Sequence, residues 1–224
     1  MAGFSAMPRA GHLDALCHLF ACLKTHKRSK LVMDSSYPNV PQPEPKDWHQ
    51  FYGDVKEEIP PNAPKPRGNY VEQTTFTDSD HANDKLNRRS RTGVLIFVNR
   101  ALICWYSKKQ LSVETSSFGS EMVAMKTAVE LSLGLRYKLR MMGVPLGGPI
   151  NVKADNMSVV SNTSVPESSL KKKQHSVAFH FLREKSASKQ ILVTYENTKT
   201  NLADSATKVQ SGPERQRLVQ RYMY

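Results

Sequence analysis

The run Thr74–Asp80, TTFTDSD, decides how the rest of this 224-residue chain is read. Thr75, Phe76 and Thr77 are β-branched or aromatic and favour a strand, whereas Asp78, Ser79 and Asp80 disfavour its continuation, so two carboxylates arrive at a strand exit. Taken alone, the fragment reads more simply as a turn or an Asx cap. The sequence on either side changes that reading.

Downstream, the polar and basic HANDKLNRRSRTG is followed by two apolar runs, VLIFV (94–98) and ALICWYS (101–107), separated only by Asn99 and Arg100. That spacing predicts a hairpin, and with the first run it gives three antiparallel strands. Ser116 and Ser117 offer N-cap chemistry to a long helix whose apolar stripe is Phe118, Met122, Met125, Val129 and Leu133, extended by Leu135 and Leu139 and ending near Met142 and Gly143. Glu121 rides in its first turns at the edge of the buried face; an acidic residue favoured by a helix N-terminus is the plainer explanation. PINVKAD (149–155) is a further short strand that also delivers an aspartate, Asp155, at its exit, with Asn156 or Ser158 to cap the next helix. A strand–helix–strand crossover lays the later strand parallel to an earlier one. If that neighbour is the strand ending at Asp78, both aspartates emerge at one sheet edge, where open α/β sheets bind ligands.

The segment 168–189 is basic and contains the helical pattern VAFHFLREK; ILVTYE (191–196) is a last strand, and in NTKTNLADSATK Asn201 caps a final helix with Asp204 in its first turn. Asp78, Glu121, Asp155 and Asp204 thus occupy a strand exit, a helix start, a second strand exit and a second helix start. Carboxylates gathered without partners raise one another's pKa unless hard divalent cations neutralise them. Two such ions on shared carboxylates form the clamp for in-line phosphoryl displacement.

Composition agrees. The formal net charge is +12 and the pI about 9.7, which favours an anionic partner such as nucleic acid. Three cysteines, Cys17, Cys22 and Cys104, give neither an even set nor a CxxC spacing, which argues against disulfide frameworks and zinc ribbons. His18, Cys22 and His26 recur every four residues but lack a fourth ligand. No run has the length of a membrane span or the form of a signal peptide, so a cytoplasmic or nuclear protein is expected, with no membrane partner.

The ordered segments TFTDSDHANDKLNRRSRTGVLIFVNRALICWYSKKQ, LSVETSSFGSEMVAMKTAVE, VKADNMSVV, KKQHSVAFHFLREK and NTKTNLADSATK resemble the ribonuclease H domain of Ty1/copia-type retrotransposon Pol polyproteins, over roughly residues 73–209. The resemblance implies an α/β fold, a ribonuclease H-like five-stranded mixed sheet flanked by helices, with an N-terminal helical extension. It also implies hydrolysis of the RNA strand of RNA/DNA hybrids with two Mg²⁺ ions, Mn²⁺ being a substitute. Asp78, Glu121, Asp155 and Asp204 match the catalytic, metal-holding positions, and Asp80 is a secondary acidic neighbour. Arg88, Arg89, Arg91, Lys108, Lys109, Lys171, Lys172 and Lys173 are candidate contacts to the nucleic-acid backbone. The alternative is a degenerate retroelement fragment that at most binds nucleic acid.

Four departures stand out. Where the family has two glutamates flanking an alanine, this chain reads Gly119, Ser120, Glu121; His81 replaces an aromatic; Ser205 follows Asp204 in LADSATK where an apolar residue is common; and the histidine that cellular ribonucleases H carry on a loop before the last aspartate is absent from Glu196 to Ala203. Residues 1–34, with one amphipathic helix over 12–27 and a short strand at LVMD, resemble the end of the reverse transcriptase that precedes this domain and would accompany it as a partner in the polyprotein. The polymerase's own catalytic aspartates are not in it, so no DNA synthesis is expected. Residues 35–72 form a proline-rich linker, including Pro38, Pro41, Pro43, Pro45, Pro60, Pro61, Pro64 and Pro66, pinned by Trp48, Phe51 and Tyr52. Residues 210–224 are expected to be a flexible, fraying tail.

Overall fold

Every residue of β1 (Gln73–Asp80) is buried, because this strand lies at the centre of the sheet with both faces covered. The computed structural model describes residues 7, 9–40, 44 and 46–223. Pro41, Pro43, Pro45 and the first six residues lie outside them. β2 (Arg91–Val98) runs antiparallel to β1, and β3 (Ala101–Lys109) antiparallel to β2. The turn between them works without the usual Asn-Gly pair because Asn99 takes a left-handed φ of 55° and is tied down on three sides. Its N–H donates to the Glu72 carbonyl at 2.7 Å, its Oδ1 accepts from the Glu72 N–H at 2.9 Å, and its Nδ2 donates to the Ser35 carbonyl at 2.9 Å.

The long helix α3 (Ser117–Met141) is capped by Ser116, whose side chain accepts from the Gly119 N–H. It stops at Gly143, where φ is 71°. It then returns the chain to β4 (Ile150–Ala154), parallel to β1, and β5 (Ile191–Tyr195) adds parallel to β4. The strand order is β3-β2-β1-β4-β5, a five-stranded mixed sheet flanked by helices. Between β4 and β5 come α4 (Met157–Ser164), capped by Asn156, and α5 (Ser176–Ala187), entered through a 3₁₀ turn at Lys173–His175.

Burial divides by face. On one side Met122, Met125 and Val129 pack on Ile150, Val152, Val159, Leu182 and Val193, while Ala128 meets Val94 and Ile96. Gln73 Nε2 donates to the Ser132 carbonyl at 2.9 Å, and the Thr75 and Ser132 hydroxyls pair at 2.7 Å. These bonds fix the level of α3 on β1, and so the height at which Glu121 leaves it. On the other face Phe76, Leu95, Phe97 and Leu102 are covered by Leu202 and Ala203, and by Leu218 and Tyr222 of the C-terminal segment.

That last contact corrects one expectation. Instead of a fraying tail, Gly212–Val219 forms a helix (α7, following the one-turn α6 at Asp204–Thr207), with Pro213 in its first turn. Leu218 and Tyr222, four residues apart, seal a sheet face that would otherwise meet water. LVMD also departs from its expected strand, making only a single bridge, Leu31 to Met223.

Upstream, α1 (Ala10–Thr25) forms where the periodicity predicts a helix but buries none of its residues, leaving Leu13, Leu19, Phe20 and Leu23 exposed. The proline-rich stretch is anchored. Trp48, at the start of the short α2 (His49–Tyr52), lies 5.0 Å from the Arg183 guanidinium, and that group donates to the Val165 carbonyl at 2.9 Å and the Ser168 hydroxyl at 2.7 Å. Glu57 accepts from Arg136 Nε at 2.8 Å and Arg140 Nη2 at 2.6 Å. Burial raises the Glu57 carboxyl, but the two guanidiniums outweigh it and hold it at about 2. No helix among the described residues is long and apolar enough to cross a membrane.

Candidate functional site

The parallel register of β1 and β4 builds the site. Thr77 pairs with Ala154, so the next residue on each strand is an aspartate, Asp78 beside Asp155, at the carboxyl ends of both strands. α3 crosses above this edge and adds Glu121. Asp78, Glu121 and Asp155 each offer an oxygen within 4.8 Å of the other two. Among the described residues this is the one group of three or more His, Cys, Asp or Glu side chains so gathered; His18, Cys22 and His26 do not meet.

Asp78 is 1% and Glu121 7% exposed and Asp155 is half-buried, so two of the three carboxylates are withdrawn from solvent. Glu121 Oε1 accepts from the Ser79 N–H at 3.2 Å, and the Ser79 and Ser120 hydroxyls meet at 3.0 Å. Glu121 Oε2 is buried with no partner. Burial, and after it the charges of Asp78 and Asp155, push the Glu121 carboxyl up to about 8. Burial and the Asp78 charge likewise push Asp155 up, against the Thr198 hydrogen bond and Lys208. Three carboxylates gathered within 4.8 Å, one of them keeping a buried oxygen without a partner, are the donor set of a hard divalent cation, so the residues fit such an ion.

Asp204 stands apart from the trio. It begins α6, which is held to the sheet by the fully buried Asn201. Asn201 Nδ2 donates to the Thr77 carbonyl at 3.0 Å, and its Oδ1 accepts from the Ala203 N–H at 3.1 Å. The partner of Asp204 is Lys208, whose Nζ is 2.8 Å from Asp204 Oδ1 and 3.4 Å from Asp78 Oδ2. Burial pushes the Asp204 carboxyl up to about 6 even with that ammonium beside it. Burial pulls Lys208 down, but Asp204 first, and then the Asp78 charge, hold it above the usual lysine range. The Thr207 hydroxyl donates to Asp78 Oδ2.

Sequence reasoning missed Thr207 and Lys208, although their positions three and four residues after Asp204 are a visible signal that one helical turn brings all three together. Asp80 takes a structural place: its carboxylate accepts from the Arg91 N–H at 2.6 Å and from Asn83 Nδ2 at 2.9 Å, closing the β1–β2 loop. The departure at Gly119 has a packing cause. A Cβ there would lie 2.7 Å from Glu114 Oε2 and 2.9 Å from His175 Nε2, two side chains that fill the space beside Glu121's turn.

The basic residues flank this edge unequally. Arg88, Lys108, Lys171 and Lys173 are exposed and Arg89 is half-buried. Lys109 is paired with Asp84, Lys172 Nζ lies 2.5 Å from the Ser116 hydroxyl, and Arg91 reaches Ser107 at 3.4 Å.

No protein-family model matches the chain. A retrovirus-related Pol polyprotein from transposon RE1 of Arabidopsis thaliana is 27% identical over 142 residues, 63% of this chain and 10% of the relative. The Pol polyprotein from transposon TNT 1-94 of Nicotiana tabacum is 29% identical over 134 residues, 60% of this chain and 10% of that one. The chain therefore spans about a tenth of the length of these curated relatives. Among solved structures, a ribonuclease H1 determined in complex with an RNA/DNA hybrid is 16% identical, covering 61% of this chain and 94% of that one, with a TM-score of 0.48. Over some 60% of its length the chain is similar to retrovirus-related Pol polyproteins from Ty1/copia-type transposons, the relatives that its ordered motifs resemble.

Proposed function

We propose that the chain is a ribonuclease H-type hydrolase that cuts the RNA strand of an RNA/DNA hybrid with the help of a divalent cation, Mg²⁺ or in its place Mn²⁺. One observation carries the reading: Asp78, Glu121 and Asp155 converge within 4.8 Å at the exit of two parallel strands, with a buried Glu121 oxygen that nothing in the protein satisfies. Asp78, Glu121 and Asp155 would hold the ion, and when bound it supplies Lewis-acid stabilisation for phosphodiester hydrolysis. Asp204 and Lys208 bound the same edge, and Thr207 fixes the Asp78 carboxylate through its hydroxyl.

Arg88, Arg89, Lys171 and Lys173 are free to meet phosphates, while Lys108, which sits over the Tyr106 ring, and Lys109, Lys172 and Arg91 must first leave the partners they hold. Recognition of a hybrid through backbone charge and 2′-hydroxyls suits such a surface better than base readout does.

The deciding experiment is cleavage of an end-labelled RNA/DNA hybrid in Mg²⁺ by the wild-type chain and by Asp78→Asn. Cleavage by the wild type and loss of two or more orders of magnitude in the variant is expected. Binding of the hybrid without cleavage by either protein would leave only a nucleic-acid-binding relic.

A further inference from the structure

Three of the four carboxylates meet one another, whereas the fourth meets a cation that the chain itself supplies. Lys208 follows α6 directly. Its backbone N–H donates to the Asp204 carbonyl at 3.0 Å, which closes the turn and brings residues 204, 207 and 208 to the same edge. From there its Nζ sits 2.8 Å from Asp204 Oδ1 and 3.4 Å from Asp78 Oδ2, bridging the two carboxylates. Asp78 is shared: it belongs to the trio with Glu121 and Asp155, and it also faces the ammonium.

An ammonium placed so does locally what a cation held between Asp78 and Asp204 would do. It is a compact point charge with three donors, and it neutralises both partners. A divalent ion at that position would have to displace it, breaking the contact to Asp204 and facing the repulsion of the displaced charge. The stem is not trapped, since 39% of the side chain is exposed, so displacement is physically open but opposed. Nothing comparable protects Glu121 Oε2, which has no partner. The two halves of the cluster therefore differ: the ammonium bridges Asp78 and Asp204, whereas no cation of the chain reaches Glu121 Oε2.

We infer that Lys208 is a positioning residue that acts as the resident cation of the Asp78–Asp204 half, so that the protein takes one divalent ion, on Asp78, Glu121 and Asp155, and excludes a second. This rests on the reading of the trio as a divalent-cation site. Lys208 also orients Asp204 and Asp78, and its removal changes how many ions the cluster holds rather than merely how stable the fold is.

The test counts ions. Mn²⁺ is titrated into the wild-type chain, Lys208→Ala and Lys208→Arg at neutral pH, and free Mn²⁺ is read from its electron paramagnetic resonance signal, with circular dichroism reporting the fold of each. One ion is expected for the wild type, two for Lys208→Ala, and one again for Lys208→Arg, whose charge is kept. Lys208→Met, which keeps the apolar stem, serves in the same way should the alanine variant fail to fold. Two ions in the wild type, or one in both the wild type and the neutral variant, would overturn the inference while leaving the divalent site standing. No bound Mn²⁺ in any of them would overturn the site and the inference together.

Discussion

Replacing Glu121 with glutamine should stabilise the metal-free protein at pH 8 and abolish its response to Mg²⁺. The magnitude follows from the site. Glu121 is 7% exposed, and its carboxyl stands at about 8 in the fold against an ordinary value of 4.5. Because the folded value is the higher, the folded state holds the proton more tightly than the unfolded chain does. The contribution is fully present below about pH 4.5 and is lost as pH rises through about 8. At about 1.4 kcal/mol per pH unit, that interval corresponds to roughly 5 kcal/mol as an upper figure; relaxation of a strained apo site brings it to about 2–5 kcal/mol. For a chain of this size each kcal/mol moves the melting midpoint by about 2–4 °C, so the effect is about 4–20 °C.

The assay is a thermal melt of wild type and Glu121→Gln at pH 5 and pH 8, with and without Mg²⁺. Glutamine still accepts the Ser79 N–H through its amide oxygen and puts an NH₂ where the unpartnered Oε2 stands, so it removes a charge without opening a cavity. Comparing the two proteins cancels the pH response of the strongly basic remainder. Mg²⁺ at about 100 times its Kd at pH 8 should restore about 2.7 kcal/mol to the wild type at that pH, and the same concentration should restore less at pH 5 because protons compete for the same oxygens. Wild-type and variant curves that shift alike with pH, or a variant that Mg²⁺ stabilises as much as the wild type, would refute the reasoning.

Gly93→Ala should damage the site from behind, because its Cβ would lie 2.6 Å from Thr207 Cγ2 and 2.9 Å from the Ala203 carbonyl; about 1–3 kcal/mol of stability should go, with weaker Mg²⁺ stabilisation as α6 is pushed off Asp78. An unchanged urea midpoint and Mg²⁺ response would show that α6 does not need that close approach. Glu57→Gln should cost about 2–4 kcal/mol in urea unfolding, since it leaves the buried Arg136 guanidinium short of its carboxylate. As the Glu57 carboxyl is held down at about 2, its contribution in the wild type is whole above about pH 4.5 and disappears as pH falls toward 2; a variant that parallels the wild type across that acid range would contradict the pairing. Leu218→Ala should lose about 2–3 kcal/mol if α7 seals the sheet, whereas a fraying tail would leave the midpoint within about 0.5 kcal/mol.

Much of the fold was legible because its signals are local. TTFTDSD, the hairpin runs, the stripe of α3 and the caps at Ser116 and Asn156 each depend on a few neighbouring residues. Asp78 and Asp155 were visible as strand exits, but their adjacency depends on the pairing of Thr77 with Ala154, which no local pattern encodes. α7 escaped because a short polar helix with Leu218 and Tyr222 looks like a tail until the bare face of Phe76, Phe97 and Leu102 is known. The stripe of α1 was legible, yet it remains exposed, so periodicity announces a helix without announcing a partner. Lys208 was hidden by ordinariness. A lysine four residues after an aspartate reads as a surface pair worth a few tenths of a kcal/mol, and only the placement of Asp78 beside it makes it part of a site.

That placement bears on how an anionic substrate would be drawn in. On the assignment argued above, four carboxylates face one divalent ion and one ammonium, which leaves a single net negative charge at the sheet edge when all four are ionised. A phosphodiester gains no net attraction from such a centre at a distance, so long-range attraction has to come from elsewhere on the surface. The formal charge of +12 supplies it, and Arg88, Arg89, Lys171 and Lys173 are the candidate backbone-contacting cations not already tied to a side chain. The division of labour is physical. A site that must hold its cation against water needs excess carboxylate, and a strand that must approach that site needs excess cation around it; here the first is buried at the exits of β1 and β4, and the second lies on the loops and the helix approach that border them.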